Sequence, residues 1–316
     1  MRRFQPSARE RLGVLSRFTR GRRTLSEKYV LHIVLIRMAR FSHTVAFFLV
    51  LLGAGLTDID TAHAWGSEGH RITGYVAESL LTPKARIRLH QITDGATLDQ
   101  LATYMDEHRQ DLGPRVRKWH YDNMPVCEVV PVEAYCRQGD CASQQIERLM
   151  GVLNDPGATQ EQKRQSVVYL SHLIGDLHQP LHAGNHGDQG GNGVSVTSGR
   201  SRGHHHKNLH SEWDSTFVKS LVRGRSEEEF SAQLIREGQG RLQGFEHGSA
   251  RDWLLESNRI ARDFAYGQLP DFRCGEPLTT TAITGDYASG ARQIVREQLL
   301  KAGARMAWVF NSALGQ

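Results

Sequence analysis

Residues 169–182 read YLSHLIGDLHQPLH, and they begin inside a predicted long helix that covers residues 159–174. His172 and Asp176 lie four positions apart, so a helix would project both side chains from one face. An imidazole and a carboxylate held together in this way suit a divalent transition metal, above all zinc. The alternative for a single pair is an ordinary contact on the surface of a helix.

A second segment repeats this arrangement. Residues 208–214 read NLHSEWD, in which His210 precedes Asp214 by four positions. The two pairs, with His182 between them, fall within the 43 residues from 172 to 214. Surface pairing is a poor explanation for two such pairs and a further histidine, so the sequence favours a metal site.

Helical patterns dominate the rest of the chain. Apolar residues recur at helical spacing in segments 67–81, 98–105, 146–153, 159–174, 253–264 and 291–310. Thr82-Pro83 supplies an N-cap and a proline at the first position of a further helix. Two stretches are irregular: 111–142, and the glycine-rich 184–207, which has room for one short hairpin. The predicted fold is a single all-α domain with long loops and a short β-hairpin.

The basic charge of the chain is concentrated at its N-terminus. The whole sequence has a net charge of +5. Residues 1–64 contain 11 Lys and Arg against 4 Asp and Glu, whereas residues 65–316 contain 28 against 30. A mildly acidic domain gives no support to nucleic-acid binding through a basic patch. If it binds a phosphate polymer, metal ions and a few individual side chains must supply the positive charge.

The segment before residue 65 has the features of an export signal. A basic start at Met38 precedes an apolar run, residues 44–56, and Ala62-His63-Ala64 offers a cleavage site. The run is shorter than the roughly 20 residues of a membrane span, although an uncleaved anchor is the alternative. We expect translation to begin at Met38 with a signal peptide over 38–64. Residues 1–37 then lie upstream of the true start, or they form a disordered basic arm.

Cleavage after Ala64 would make Trp65 the first residue of the exported protein. A terminal amine and the carbonyl of the same residue can form a five-membered chelate around a metal, and His70 follows five residues later. The remaining 252 residues, 65–316, suit one large domain. The predicted location is secreted or periplasmic.

All four cysteines follow the predicted signal peptide. An even number of cysteines in an exported chain favours two disulfides. We expect Cys136 and Cys141 to close a small loop and Cys127 and Cys274 to join distant segments. Zinc ligation by cysteine is the alternative, but the chain has no pair with the C-x2-C spacing.

Nine positions offer groups for a metal centre, and they are Trp65 (amine and carbonyl), His70, Asp106, His120, His172, Asp176, His182, His210 and Asp214. They stand in the strings WGSEGH (65–70), ATYMDEHR (102–109), WHY (119–121), HLIGDLHQPLH (172–182), GGN (190–192) and NLHSEWD (208–214), and the chain closes with EQLLKAGAR (297–305). This combination resembles the S1/P1 nuclease family, whose members are zinc-dependent single-strand nucleases and 3′-nucleotidases with a helical fold of the phospholipase C type.

The resemblance implies three zinc ions per chain. One would be bound by Asp106, His120, His172 and one oxygen of Asp176. A second would be bound by the Trp65 amine and carbonyl, His70 and the other oxygen of Asp176. The third would be bound by His182, His210 and Asp214. Such ions would activate a water for attack on phosphorus and stabilise the departing 3′-oxygen, so that the product keeps a 5′-phosphate.

Four further residues are predicted to contact the substrate. Arg109, three positions after Asp106 and expected on the same helical face, can stabilise charge on the phosphoryl oxygens, unless it simply faces solvent. The resemblance implies that Tyr121 stacks on a nucleobase and Asn123 contacts it, with a core tyrosine as the alternative. Asn192 can reach the region of the scissile phosphate, or it only forms the turn.

Three features need separate interpretations. The string Thr103-Tyr104-Met105 stands where the family usually has Ser-Trp-Ala, a change in packing that leaves the aspartate ligand in place. His178 is expected to hydrogen-bond to a ligand rather than to bind a fourth metal. His204, His205 and His206 are interpreted as part of a solvated loop, with adventitious metal binding or substrate contact as alternatives.

The leading functional hypothesis is an exported phosphodiesterase and 3′-nucleotidase that acts on single-stranded DNA and RNA. No stable protein partner is implied, and no membrane anchor remains after cleavage. Zinc phospholipase C is the alternative of similar chemistry, although its last ligand is usually glutamate and this chain has Asp214. A zinc-storage protein is the alternative from another class, and it would need neither Arg109 nor an N-terminal chelate.

Overall fold

The fold consists of α-helices joined by long loops, as the sequence predicts, in a computed structural model that describes residues 65–197 and 207–316. The predicted signal peptide, the segment before it and His204–His206 lie outside the described residues. Among the described residues, no helix combines the length and the apolar character needed to cross a bilayer.

The α-helices of the described ranges are α1 (Ser67–Leu80), α2 (Pro83–Ile92), α3 (Leu98–Leu101), α4 (Tyr104–Glu107), α5 (Gly113–Val116), α6 (Val132–Tyr135), α7 (Ala142–Asn154), α8 (Gln160–Leu177), α9 (Pro180–Ala183), α10 (Leu209–Ser211), α11 (Phe217–Val222), α12 (Glu227–Gly238), α13 (Ala250–Ile260) and α14 (Gly285–Leu314). Short 3-10 turns occupy Arg117–His120, Arg137–Gly139 and Gln239–Phe245, and π-helical turns extend α10 and α13 over Glu212–Thr216 and Ala261–Tyr266.

Side-chain caps determine where several helices begin. The Thr82 hydroxyl accepts a backbone N–H at the start of α2, where Pro83 is the first helical residue. Thr159 and Gln162 form a reciprocal capping box at the start of α8. Each cap satisfies backbone donors that the first helical turn leaves without a partner. The predicted N-cap and proline at Thr82-Pro83 are therefore confirmed.

The strands are short and form two separate parallel pairs. Strand β1 (Met124–Pro125) pairs with β2 (Gly184–Asn185), and β3 (Ser195–Thr197) pairs with β4 (Thr280–Ala282). Ser195 also forms an isolated antiparallel bridge with Asn208. Both strand pairs of the described residues are parallel, so neither is the short hairpin predicted in the glycine-rich loop. The pairing of β3 with β4 was not predicted, because the two segments are far apart in sequence.

Helix α8 occupies the interior of the fold. Every residue from Ser166 to Leu177 is buried, so this half of α8 has no solvent-facing side. A helix buried on all sides is typical of the centre of a large domain. Its apolar side chains belong to one of two apolar clusters, and helices α1 and α14 contribute side chains to both clusters. His172 and Asp176 are consequently held in a rigid, dry part of the molecule.

The structure departs from the predicted helix over 98–105. The segment divides into α3 and α4, and α4 ends at Glu107 because the backbone at His108 leaves the helical region (φ −105°, ψ 16°). The spacing predicted that Arg109 would share a helical face with Asp106. Because the helix ends at Glu107, Arg109 does not lie on that face. Its N–H donates to the carbonyl oxygen of Asp106 at 3.2 Å, so the two residues remain neighbours in a turn.

Both disulfides have the pairing expected from the sequence. Cys127 and Cys274 are joined, with Cα atoms 5.6 Å apart, and Cys136 and Cys141 are joined, with Cα atoms 5.3 Å apart. The first ties the loop after β1 to the segment before β4. The described residues contain no free cysteine. Zinc ligation by cysteine is thereby excluded.

Candidate metal centre

The end of α8 and the turn that follows it carry residues of two separate clusters. Asp176 lies in the last turn of α8, and His182 lies in α9, which begins at Pro180. Proline is well suited to the first position of a helix, where no backbone N–H is needed. The extended backbone of Gln179 (φ −84°, ψ 116°) interrupts the helix between these two residues, and one short segment supplies both clusters.

The first cluster consists of His70, Asp106, His120, His172 and Asp176. The Asp176 Oδ1 atom lies 3.2 Å from His70 Nε2, while its Oδ2 atom lies 3.1 Å from His120 Nδ1 and 3.2 Å from His172 Nε2. The Asp106 carboxylate stands 3.8 to 3.9 Å from all three imidazoles. Asp176 thus directs one oxygen to each side, an arrangement that suits a carboxylate bridging two ions.

The second cluster consists of His182, His210 and Asp214, all of them buried. His210 Nε2 lies 3.2 Å from Asp214 Oδ2 and 3.1 Å from His182 Nε2. Helix α10 and the π-helical turn after it bring His210 and Asp214 to the same face, as their spacing predicts. His182 joins them from α9.

Backbone carbonyls orient three of the imidazole rings. The Nδ1 atoms of His172, His182 and His210 each donate to a carbonyl oxygen at 2.6 Å, and the acceptors are Ala102, His120 and Gly190 respectively. A carbonyl only accepts, so each Nδ1 carries a proton and Nε2 is the nitrogen directed at the cluster. Metal-binding histidines are typically held in this way.

The donor atoms fit a bound cation better than an ion-free pocket. His182 and His210 direct Nε2 atoms at each other across 3.1 Å, although both rings already donate through Nδ1. Burial lowers the pKa of His182, and burial and His182 lower the pKa of His210 to about 3, so both rings are neutral. Two facing lone pairs repel each other unless a cation lies between them. Nitrogen and oxygen donors at these positions suit zinc.

Electrostatics in the first cluster also favour positive charge. Burial lowers the pKa of His172, but the carboxylates of Asp176 and Asp106 outweigh burial and raise it to about 9. Burial lowers the pKa of His70 to about 4, with a further contribution from His172. The two carboxylates therefore stabilise positive charge in this pocket. Metal binding to such a site releases protons.

The start of the described chain is anchored beside both clusters. The Trp65 side chain is fully buried, and the N–H of Gly66 donates to the Asp214 carbonyl oxygen at 2.9 Å. Helix α1 then brings His70 into the first cluster. The residues before Trp65 lie outside the described range, so the chelate by its amine and carbonyl stays a prediction.

A cavity of about 250 Å³ opens beside the first cluster. Its walls include Gly66, Ser67, Asp106, Ser215 and Lys219. The cavity extends from the start of α1 to the Asp106 carboxylate, and it opens this side of the first cluster to solvent.

The predicted base-binding residues lie next to the second cluster. The backbone N–H groups of Asp122 and Asn123 donate to the His182 carbonyl oxygen at 3.0 and 3.1 Å. Tyr121 and Asn123 are half-buried, and Asn123 has a positive φ of 54°. Tyr121 follows His120 of the first cluster directly in the chain. Contact with a nucleobase stays a prediction for both residues.

Asn192 has a clear part in the loop that carries His210. Its side-chain amide donates to the Gln189 carbonyl at 2.8 Å, and its Oδ1 accepts from Asn208 at 3.4 Å. Asn208 is the N-cap of α10, which contains His210. These hydrogen bonds support the alternative in which Asn192 forms the turn. Contact between Asn192 and the scissile phosphate stays a prediction.

The expected role of His178 is wrong. Its Nδ1 donates to the Ile174 carbonyl at 2.7 Å, and Arg305 approaches its Nε2 at 2.8 Å, so the ring contacts no residue of either cluster through a hydrogen bond. Burial and the Arg305 charge lower its pKa to about 3, which keeps the ring neutral and accepting. His178 turns away from the clusters because α13 and α14 pack against this side of the turn.

Sequence reasoning also missed the neighbour of His178. Gln179 is fully buried, and its amide donates to Asp214 Oδ1 at 2.5 Å. The only signal was its position inside the string HQPLH, between residues of the two clusters.

The chain is similar to known nucleases over its described part. The model of the S1/P1 nuclease family matches residues 65–315. Nuclease P1 of Penicillium citrinum is 28% identical over 250 residues, which cover 76% of this chain and 83% of that protein. Nuclease S1 of Aspergillus oryzae is 25% identical, covering 82% and 95% of the two chains. Endonuclease 4 of Arabidopsis thaliana is 26% identical, covering 80% and 90%.

Proposed function

This chain belongs to the S1/P1 nuclease family, and on that basis we propose that it hydrolyses single-stranded DNA and RNA with three bound zinc ions. The products carry a 5′-phosphate, and the enzyme also removes phosphate from 3′-nucleotides. Family membership makes the protein a nuclease, which is a hydrolase of phosphate esters. The number of metal ions, their identity as zinc and the 3′-nucleotidase activity are our proposals.

The observation that supports zinc most strongly is the opposition of His182 and His210. Their protons are held on Nδ1 by carbonyl groups, and their lone pairs meet at 3.1 Å in a buried pocket beside Asp214. Burial raises the pKa of Asp214 well above its ordinary value, so this pocket would hold a proton if it held no metal. A divalent cation replaces that proton and removes the repulsion.

We assign the nine predicted ligands to the ions as the family resemblance implies. Asp106, His120, His172 and Asp176 would hold one ion; the Trp65 amine and carbonyl, His70 and Asp176 a second; and His182, His210 and Asp214 the third. Zinc in these positions supplies a nucleophilic water at neutral pH and neutralises charge on the phosphoryl group.

The side chains around the ions orient the substrate. Arg109, in the turn after Asp106, donates to phosphoryl oxygens as their charge increases. Tyr121 provides a face on which any nucleobase can stack, and Asn123 contacts the edge of that base. Asn192 reaches toward the scissile phosphate from the loop it stabilises. Because the domain is mildly acidic, these contacts and the metal ions bind the nucleic acid in place of a basic surface.

We propose further that the protein is exported and processed. Residues 38–64 act as the signal peptide, residues 65–316 form the nuclease domain, and residues 1–37 precede the true start or form a basic arm. The two disulfides support an oxidising destination, outside the cell or in a periplasm.

The test uses protein that a cell has exported and processed, purified after export. We expect three zinc ions per chain by elemental analysis, tryptophan as the first residue by N-terminal sequencing, and cleavage of denatured DNA far faster than duplex DNA. Asp106→Asn should abolish hydrolysis, whereas Asp94→Asn, at an exposed carboxylate, should leave it unchanged. Equal turnover of phosphatidylcholine and denatured DNA would instead support a phospholipase, and full activity in Asp106→Asn would contradict the proposed centre.

A further inference from the structure

Gln179 is a buried, uncharged side chain that lies between ligand candidates of the two clusters in the sequence. It is fully buried in the turn between α8 and α9, and it lies three residues after Asp176 and three residues before His182. Its amide nitrogen lies 2.5 Å from Asp214 Oδ1, across 35 residues of sequence. Burying an amide is costly unless both of its ends are hydrogen-bonded, and Asp214 satisfies the nitrogen end of this amide.

The direction of the Gln179 amide is fixed by its other end. The Leu181 backbone N–H, which can only donate, lies 2.6 Å from Gln179 Oε1. The oxygen of the amide therefore faces α9, and the nitrogen necessarily faces Asp214. The turn that carries His182 thus also delivers a hydrogen-bond donor to the carboxylate of the same cluster.

This donor determines which Asp214 oxygen faces the histidines. With Oδ1 engaged by Gln179, the other oxygen, Oδ2, lies 3.2 Å from His210 Nε2, while Oδ1 stays 4.0 Å from His182 Nε2. Rotation of the carboxylate would break a short hydrogen bond to a charged acceptor, which is among the stronger hydrogen bonds in proteins. Asp214 is consequently held with one oxygen directed into the cluster.

We propose that Gln179 is a positioning residue that fixes Asp214 for the third zinc ion. The inference rests on the proposed function, since it presumes a metal at the second cluster. The Gln179 side chain donates to Asp214 and accepts from Leu181, whereas its contact with Asp176 is a backbone hydrogen bond that a substitution keeps, so loss of the side chain weakens the binding of one ion and leaves the others in place.

The test compares zinc retention in Gln179→Met and in the unaltered protein. Methionine has nearly the same length but cannot donate. Both proteins are dialysed against graded zinc buffers, and bound zinc is counted. We expect the variant to keep two ions as tightly as the unaltered protein and to bind the third about 10–100-fold more weakly, the usual cost of losing a group that orients a metal ligand. Excess zinc should restore cleavage of single-stranded DNA.

Gln298→Met is the matched control. Gln298 is equally buried and donates to the His178 carbonyl at 2.9 Å, so it supports the same turn without contacting a carboxylate. We expect it to lower the unfolding midpoint without changing the zinc count. Gln179→Met with three ions of unaltered affinity would overturn the inference, as would equal zinc loss in both variants. If the unaltered protein binds no zinc or cuts no nucleic acid, the proposed function fails first, which is a distinguishable result.

Discussion

We propose that the Arg109 side chain stabilises the negative charge that develops on the phosphoryl oxygens. Its position in the turn after Asp106 places it beside the first cluster without making it a ligand. We predict that Arg109→Ala lowers kcat on single-stranded DNA by roughly 10²–10³-fold, the usual cost of removing one donor to transition-state charge. Elemental analysis should still find the zinc content of the unaltered protein.

The control is Arg117→Ala. Arg117 is an exposed arginine in the loop that leads to His120, so its removal changes net charge equally. We expect kcat to stay within about twofold of the unaltered protein. Similar losses in the two variants would mean that general attraction of the polyanion, rather than contact with the phosphoryl group, explains the effect.

Glu256 is a half-buried carboxylate whose charge contributes to stability. Burial alone would raise its pKa, but Lys301 and Arg305 outweigh burial and lower the pKa from 4.5 to about 2. A lowered carboxyl pKa adds stability above the unfolded value, and this contribution is lost as pH falls from about 4.5 to about 2. Arg305 also approaches the ring of His178, so the ion pair supports the turn after α8.

We predict that Glu256→Gln lowers the free energy of unfolding at pH 7 by about 1–2 kcal/mol, allowing for the partial exposure of the carboxylate. The difference should shrink steadily below pH 4.5 and nearly vanish near pH 2. Urea unfolding of both proteins, freed of metal by a chelator, measures it across this range. A difference that is constant with pH would show that shape, not charge, explains the loss.

The long helices were predictable because their apolar residues recur at the helical period and their caps are local. Thr82 and Thr159 mark the starts of α2 and α8 in the sequence as they do in the structure. The division of residues 98–105 into α3 and α4 was not predictable, because the apolar spacing continues across the break. There the packing around Met105, which is fully buried, decides the path of the chain.

Helices α1 and α14 approach each other through a glycine. A Cβ atom added at Gly303 would lie 2.4 Å from the Val76 Cβ, so any larger residue forces the helices apart. We predict that Gly303→Ala lowers the free energy of unfolding by about 1–3 kcal/mol despite the better helix propensity of alanine. Urea unfolding of the zinc-loaded protein measures the change.

Gly151 in α7 gives the opposite expectation. A Cβ atom there would meet nothing within 4 Å, so Gly151→Ala should stabilise the protein by about 0.5–1 kcal/mol. The two substitutions are chemically identical and both lie inside helices. If both destabilised the protein equally, close packing at Gly303 would not be the cause.

The candidate metal centre assembles residues from 65–214, and the sequence revealed these side chains better than the groups that orient them. Histidine and aspartate at characteristic spacings identify themselves, and the structure brings eight of the predicted ligands into two clusters. The carbonyl groups of Ala102, His120 and Gly190 were not predictable, because every residue has a carbonyl and only the fold selects three of them. The contact between His178 and Arg305 on α14 was not predictable either, because 127 positions separate the two residues in sequence.

The proposed ninth ligand, the Trp65 amine, would exist only after cleavage of the chain before Trp65. An amine at Trp65 has a lone pair for a metal, whereas the amide nitrogen of an uncleaved chain has none. The side chain of Trp65 is fully buried, and Gly66 is hydrogen-bonded to Asp214, so the backbone cannot move to compensate. We predict that a protein retaining even one residue before Trp65 loses one zinc ion and most of its hydrolytic activity.

A removable extension tests this prediction within one polypeptide. The domain from residue 65 onward is produced behind a short sequence that a specific protease cuts immediately before Trp65. Zinc content and cleavage of single-stranded DNA are measured before and after that cut, with zinc in excess. We expect two ions and little activity before it, and three ions with full activity after it. Full activity in the uncut protein would show that the amine is not a ligand, and the second ion would then need another donor from the cavity beside Asp106.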